Sequence, residues 1–142
     1  MLQIDNKEVK ITKQNIFVGH IKVNNVNGFN IVINIEFLNI LTNKKGYINL
    51  DVGFEKTNNI NNFINKEYKD VNMGFTNQHI FLEVFDTENF FDSEIENDII
   101  IKIEEIVENK VKVFFEVNED FIVIKYDGYL DVVDKDNIEK LN

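Results

Sequence analysis

Apolar and polar residues alternate along most of this chain, and alternation is typical of strands with one buried face. In residues 29–37, which read FNIVINIEF, Phe or Ile occupies every second position. Residues 47–54 repeat the pattern, and the polar loop 42–46 between them predicts an antiparallel hairpin. Residues 16–23 predict an earlier strand, which turns at 24–28, where Asn and Gly tolerate tight-turn conformations.

The second half of the chain continues the same alternation. It predicts strands at 79–85, 98–107, 111–117 and 121–133, with short turns at 108–110 and 118–120. Residues 58–68 differ, because their apolar residues recur at helical spacing and predict a short amphipathic helix. About seven or eight strands and one short helix predict a mainly β fold. We expect an antiparallel β-sandwich or a partly open barrel, since a one-sided sheet must cover its apolar face.

Composition places the chain among folded domains. Its 142 residues, of which 44% are hydrophobic, suit a single domain spanning residues 1–142. No signal-peptide pattern opens the chain and no apolar run is long enough to cross a bilayer, so we expect a cytoplasmic protein. Arg, Ala and Pro are absent while Asn, Ile, Lys and Phe abound, a bias that indicates an AT-rich and bacterial genome.

Residues that could perform catalysis are scarce. There is no cysteine, Ser93 is the single serine and has no Gly-x-Ser-x-Gly context, and His20 and His79 lie far apart in the sequence. The six glycines are isolated and form no phosphate-binding loop, and Gly128 is best interpreted as a β-bulge. We therefore expect no enzyme activity, no cofactor and no metal.

Charge is distributed unevenly along the chain. Residues 1–80 contain nine lysines and seven acidic residues, whereas residues 81–142 contain six lysines and eighteen acidic residues. The formal net charge of −10 disfavours nucleic acid and anionic membranes and favours a cationic partner. A solvated acidic surface that aids solubility is the alternative interpretation.

The stretch 86–98 concentrates six carboxylates around two adjacent phenylalanines. It fails as an EF-hand loop, because Phe91 occupies the sixth position, where glycine is needed, and Asn97 the twelfth, where glutamate is needed. An irregular oxygen site for calcium stays open. Acidic residues around aromatic anchors are typical of protein interfaces, so we expect a partner-binding surface in an acidic loop. Its candidate residues are Glu83, Asp86, Glu88, Phe90, Phe91, Asp92, Glu94 and Glu96.

A small, acidic, cysteine-free β protein with the C-terminal runs 99–106 and 109–113 resembles the immunity proteins of bacterial polymorphic toxin and contact-dependent inhibition systems. The resemblance covers the whole chain but no specific motif. It implies a protein that binds a cognate toxin domain, often a basic nuclease, and blocks its active site. It implies no catalytic residues.

Two other classes of function remain open at this point. A ligand- or carbohydrate-binding module would use Tyr47, Tyr126 and Tyr129 as a stacking platform. A phage or surface assembly protein would associate with itself through its edge strands. The sequence leaves the oligomeric state and the identity of the partner undetermined.

Overall fold

The computed structural model describes residues 1–23, 26–41, 43–55, 67–69, 80–86, 90–94, 99–119 and 122–133. These residues form the strands β1 (Leu2–Ile4), β2 (Lys7–Val23), β3 (Val26–Asn39), β4 (Lys44–Glu55), β5 (Glu67–Lys69), β6 (Ile80–Asp86), β7 (Phe90–Glu94), β8 (Ile99–Val107), β9 (Lys110–Glu119) and β10 (Ile122–Val133). All belong to one sheet, in the order β5-β8-β9-β10-β1-β2-β3-β4-β6-β7. The mainly β prediction is confirmed.

Alternation in the sequence becomes alternation of burial in the sheet. In β3, Ile31, Ile33 and Ile35 have no exposed surface, whereas Glu36 between the buried positions is exposed. A single cluster of buried side chains takes members from β2, β3 and β4 and also from β8, β9 and β10. Both halves of the sheet therefore turn their apolar faces toward one core. Because β5 and β7 end the described sheet without pairing to each other, it corresponds to a partly open barrel.

The two halves of the sheet meet at a seam formed by β1, β2 and β10. Strand β1 pairs antiparallel with both neighbours, Leu2 lying opposite Tyr126 on one side and Val9 on the other. Beyond β1, β10 pairs directly and in parallel with β2, from Asp131 opposite Asn15 onward. The Tyr126 hydroxyl crosses the seam and donates a hydrogen bond to the Gln14 side-chain oxygen at 2.7 Å.

Backbone conformations explain where several hairpins turn. Asp5 and Asn6 join β1 to β2, Asn43 precedes β4, and Glu108 joins β8 to β9, all with φ between 50° and 63°. Asp and Asn adopt these left-handed conformations more readily than most residues. The turns predicted at 42–46, 108–110 and 118–120 are each shorter in the structure, because residues 44–46 belong to β4 and residues 110, 118 and 119 to β9. The sequence missed β1 and the first half of β2.

The helix predicted at 58–68 is wrong where the structure tests it. Tyr68 lies in β5, a three-residue strand that pairs antiparallel with β8, opposite Ile101. Residues 58–66 of that prediction lie outside the described residues, and so do residues 24 and 25 of the turn predicted at 24–28, whereas residues 26–28 of that turn belong to β3. The helical spacing of four apolar residues did not determine the conformation of Tyr68, because pairing with a neighbouring strand overrides local propensity.

The bulge predicted at Gly128 is also wrong. Pairing between β10 and β9 continues without a shift through Gly128, which lies opposite Val113. A Cβ atom at Gly128 would lie 2.9 Å from the hydroxyl oxygen of Tyr126, so the glycine is needed for close approach of that ring. The irregularities in register lie instead between Ile11 and Lys13 and between Ile103 and Glu105.

Candidate functional site

The acidic stretch 86–98 lies at one edge of the sheet. Strand β7 is the last strand in the order and pairs with β6, which in turn pairs with β4. Part of the stretch expected to be a loop is therefore a strand, Phe90–Glu94. The candidates Glu88 and Glu96 lie outside the described residues.

Backbone register divides the candidate residues between the two faces of the sheet. Phe91 lies opposite Val84, and Val84 opposite Ile48, which is fully buried, so this row belongs to the core face. Asp86 is paired with Gly46, which lies opposite the buried Phe37 in another core-face row. The structure therefore does not bring Phe90 and Phe91 together as a pair of anchors.

The remaining candidates fall in rows of the outer face. Asp92 lies opposite Glu83, Phe90 opposite Phe85, and Glu94 opposite Phe81. The rows continue into β4, where Glu83 is paired with Asn49 and Phe85 with Tyr47. Glu83 and Asp92 therefore put two acidic residues at directly opposed register positions.

The acidic charge of this edge is not balanced by nearby lysines in the sequence. Between Lys69 and Lys102 there are eight acidic residues and no lysine. In the other half of the sheet, by contrast, Lys112 lies 3.0 Å from Glu104 and Lys110 lies 3.5 Å from Asp131. Residues 81–98 contribute seven acidic residues and no lysine, and four of these acidic residues, Glu83, Asp86, Asp92 and Glu94, lie in the β6–β7 hairpin.

A hydrogen-bonded group of polar side chains adjoins the hairpin on the outer face. The side-chain oxygen of Asn34 accepts hydrogen bonds from the Tyr47 hydroxyl and the Asn49 amide, both at 2.8 Å. The Asn34 amide donates to the Asn15 side-chain oxygen at 3.2 Å. Register extends this row from Asn49 to Glu83 and Asp92. Sequence analysis missed the group because it attributed the many asparagines to composition, although Asn34 and Asn49 both occupy polar positions of predicted strands.

The outer face of the other half carries a second polar cluster. The Tyr129 hydroxyl donates a hydrogen bond to a Glu105 carboxylate oxygen, and the Lys112 ammonium lies 5.8 Å from the centre of the Tyr129 ring. The hydrogen bond to Glu105 raises the pKa of Tyr129, and the hydrogen bond to Glu104 raises the pKa of Lys112. Lys112 offsets the charge of Glu104, and the neutral Tyr129 hydroxyl bonds to Glu105, so this cluster is less negative than a run of carboxylates without a lysine.

The tyrosines expected to form a stacking platform are not brought together. Tyr126 is fully buried and stacks on Phe115 in the core, with ring centres 5.2 Å apart. Tyr47 lies in β4 and Tyr129 in β10, and three strands separate β4 from β10 in the sheet. The platform prediction is therefore wrong.

Residues considered for catalysis are also dispersed. His20 lies in β2 opposite Phe29, Ser93 lies in β7 opposite Leu82, and His79 lies outside the described residues. Within the described ranges, no group of three or more His, Cys, Asp or Glu residues is arranged to hold a metal ion. The described residues contain no helix that is long and apolar enough to cross a membrane.

Comparison with known proteins gives no family assignment. No family model matches the chain, and neither the curated proteins nor the solved structures include a match.

Proposed function

We propose that this chain is a non-catalytic binding protein, an immunity protein that neutralises a cationic toxin domain in the bacterial cytoplasm. The observation that carries the proposal is the acidic β6–β7 hairpin at the edge of the sheet, with no lysine between Lys69 and Lys102. An electrostatic field of one sign steers a cationic partner toward the surface and speeds association.

The outer face of the hairpin is the contact surface in this proposal. Register places Glu83, Asp92 and Glu94 there together with Phe90. Carboxylates in neighbouring rows match a toxin surface that normally contacts the phosphates of nucleic acid, and an aromatic residue beside them supplies apolar contact. Phe91 and Asp86, which belong to core-face rows, have no direct role in binding.

The adjoining amide group supplies a rigid base for this surface. Asn34 links β2, β3 and β4 through hydrogen bonds to Asn15, Tyr47 and Asn49. Because β4 pairs with β6 along seven register positions, the hairpin is attached to a part of the sheet whose outer side chains are already ordered. A surface that is ordered before binding loses less conformational entropy on association.

Charge reversal at the hairpin tests the proposal. The partner is captured from the source bacterium with the tagged wild-type protein, identified by mass spectrometry and prepared as an isolated domain. The triple variant Glu83→Lys, Asp92→Lys, Glu94→Lys should lower the association rate of that domain about tenfold or more at low salt, because steering is lost. Stopped-flow kinetics measures the rate, and rescue of growth on co-expression measures neutralisation.

A second variant with the same change in net charge at other positions shows whether the position of the charges, and not the net charge alone, sets the association rate. Glu108→Lys, Glu116→Lys and Asp127→Lys make the same change in net charge on the β8–β10 half of the sheet. We expect this variant to keep most of the association rate and the full rescue of growth. Equal losses in both variants, or an unchanged hairpin variant, would contradict the contact surface, and a captured partner that is neither basic nor toxic would contradict immunity.

A further inference from the structure

A cavity of about 650 Å³ opens where the β3–β4 hairpin lies beside the irregular part of β2. This volume falls within the range of small-molecule sites, roughly 300–1,000 Å³. Among the described residues, the side chains that line it are mostly apolar or uncharged, with one carboxylate and one ammonium group: Thr12, Glu36, Phe37, Leu38, Lys45 and Tyr47.

Local departures from regular pairing explain why space exists at this point. Register shifts between Ile11 and Lys13, so Thr12 has no partner in β3. Gly46, which also lines the cavity, lies opposite Phe37 and has no side chain to fill the position. The Tyr47 ring forms a fixed wall, since its hydroxyl donates to Asn34 at 2.8 Å.

The charges around the cavity favour a negatively charged guest. Lys10 and Lys45 both lie opposite Leu38 in one outer-face row, and Lys13 lies opposite Glu36 in the next. All three lysines are exposed, and Glu36 is the one carboxylate in these two rows of β2, β3 and β4. Asp86 is paired with Gly46 in a core-face row. Three ammonium groups against one carboxylate attract an anion and repel a cation of the same size.

We propose that this cavity binds a small aromatic anion. The apolar body of the ligand lies against Leu38 and the ring of Tyr47, and its carboxylate or sulfonate group lies toward Lys45, with Lys10 and Lys13 nearby. This binding activity is separate from the proposed recognition of a toxin domain, because the cavity carries local positive charge and the hairpin carries negative charge. Either proposal can fail without the other.

Two probes of equal size and opposite charge test the proposal. Naphthalene-2-sulfonate and naphthalen-2-ylmethylammonium are titrated into the wild-type protein and followed by ¹H–¹⁵N NMR. We expect the sulfonate to shift the backbone amide signals of Leu38, Lys45 and Tyr47 in a saturable manner. We expect the ammonium probe to bind at least about tenfold more weakly, since lysines surround the cavity.

A pair of variants tests whether the sulfonate binds in this cavity. Lys45→Glu should weaken sulfonate binding about tenfold, whereas Lys125→Glu, an equal charge change on β10, should leave it unchanged. Both side chains project from outer-face positions, and circular dichroism establishes that the variants fold. The proposal is overturned if the sulfonate does not bind, if both probes bind equally, or if the two variants weaken binding alike.

Discussion

At the scale of single residues, Gly128 leaves room for the ring of Tyr126. A Cβ atom at Gly128 would lie 2.9 Å from the hydroxyl oxygen and 3.2 Å from the Cζ atom of Tyr126. The ring cannot shift easily, because it is buried against Phe115 and its hydroxyl is bonded to Gln14.

We expect Gly128→Ala to lower the free energy of unfolding by about 1–3 kcal/mol, since it forces overlap in a packed core. Urea denaturation measures the change. In a Tyr126→Phe background, Gly128→Ala should lower the free energy of unfolding by less, because the hydroxyl oxygen nearest to the new Cβ atom is absent. This difference between backgrounds distinguishes steric overlap with Tyr126 from an effect of alanine on the backbone. An equal cost in both backgrounds would contradict the steric explanation.

At the scale of elements, Asn34 joins three adjacent strands. Replacing it by alanine removes the oxygen to which the Tyr47 hydroxyl and the Asn49 amide both donate, in a partly buried position. We expect Asn34→Ala to lower the free energy of unfolding by about 1–2 kcal/mol. Asn118→Ala, at an exposed position of β9, is the control and should change it by less than about 0.5 kcal/mol. Similar losses in thermal and urea denaturation of both variants would contradict the role of Asn34.

Strands with long, regular alternation could be predicted from the sequence, and shorter strands could not. Residues 29–37 and 47–54 lie within β3 and β4, and the alternate residues Ile31, Ile33, Ile35, Phe37, Ile48 and Leu50 are buried in the core. Strand β7 is short and rich in acidic residues, which are typical of loops, so it was missed. Strand β5 was missed because its pairing partner, β8, is distant in sequence.

The acidic residues of the candidate surface could be predicted from the sequence, but their arrangement on the two faces of the sheet could not. A run of carboxylates is visible in the sequence, whereas its division between faces depends on whether the segment is a strand. Once Phe90 and Phe91 are known to lie in β7, adjacency itself places them on opposite faces. The cavity beside Leu38 was not predictable, since it depends on the register shift near Thr12.

At the scale of the whole molecule, Tyr126 makes stability depend on alkaline pH. Burial, with a smaller effect of the Asp127 carboxylate, raises the pKa of Tyr126 above the ordinary tyrosine value. The unfolded chain therefore loses the phenol proton first, at a pH of about 10, and stability falls as pH rises further. Below that pH the contribution of Tyr126 is fully present.

We expect the free energy of unfolding of the wild type to decline above a pH of about 10. Tyr126→Phe should be less stable at neutral pH, because the bond to Gln14 is lost, but should decline less steeply. A residual slope should remain, since the pKa values of Tyr129 and Lys112 are also raised. Urea titrations between neutral and alkaline pH measure both slopes, and identical slopes would contradict the assignment to Tyr126.

The seam has a consequence for the order in which this chain can fold during synthesis. The amino group of Met1 donates to the Asp127 carbonyl at 2.7 Å, a contact that spans 126 positions of sequence. While a ribosome is still translating the codons before β10, β1 has its partner on one side alone and the apolar core stays open on that flank. Barrel closure must therefore wait until residues 122–133 have left the exit tunnel, and such long-range closure is intrinsically slow.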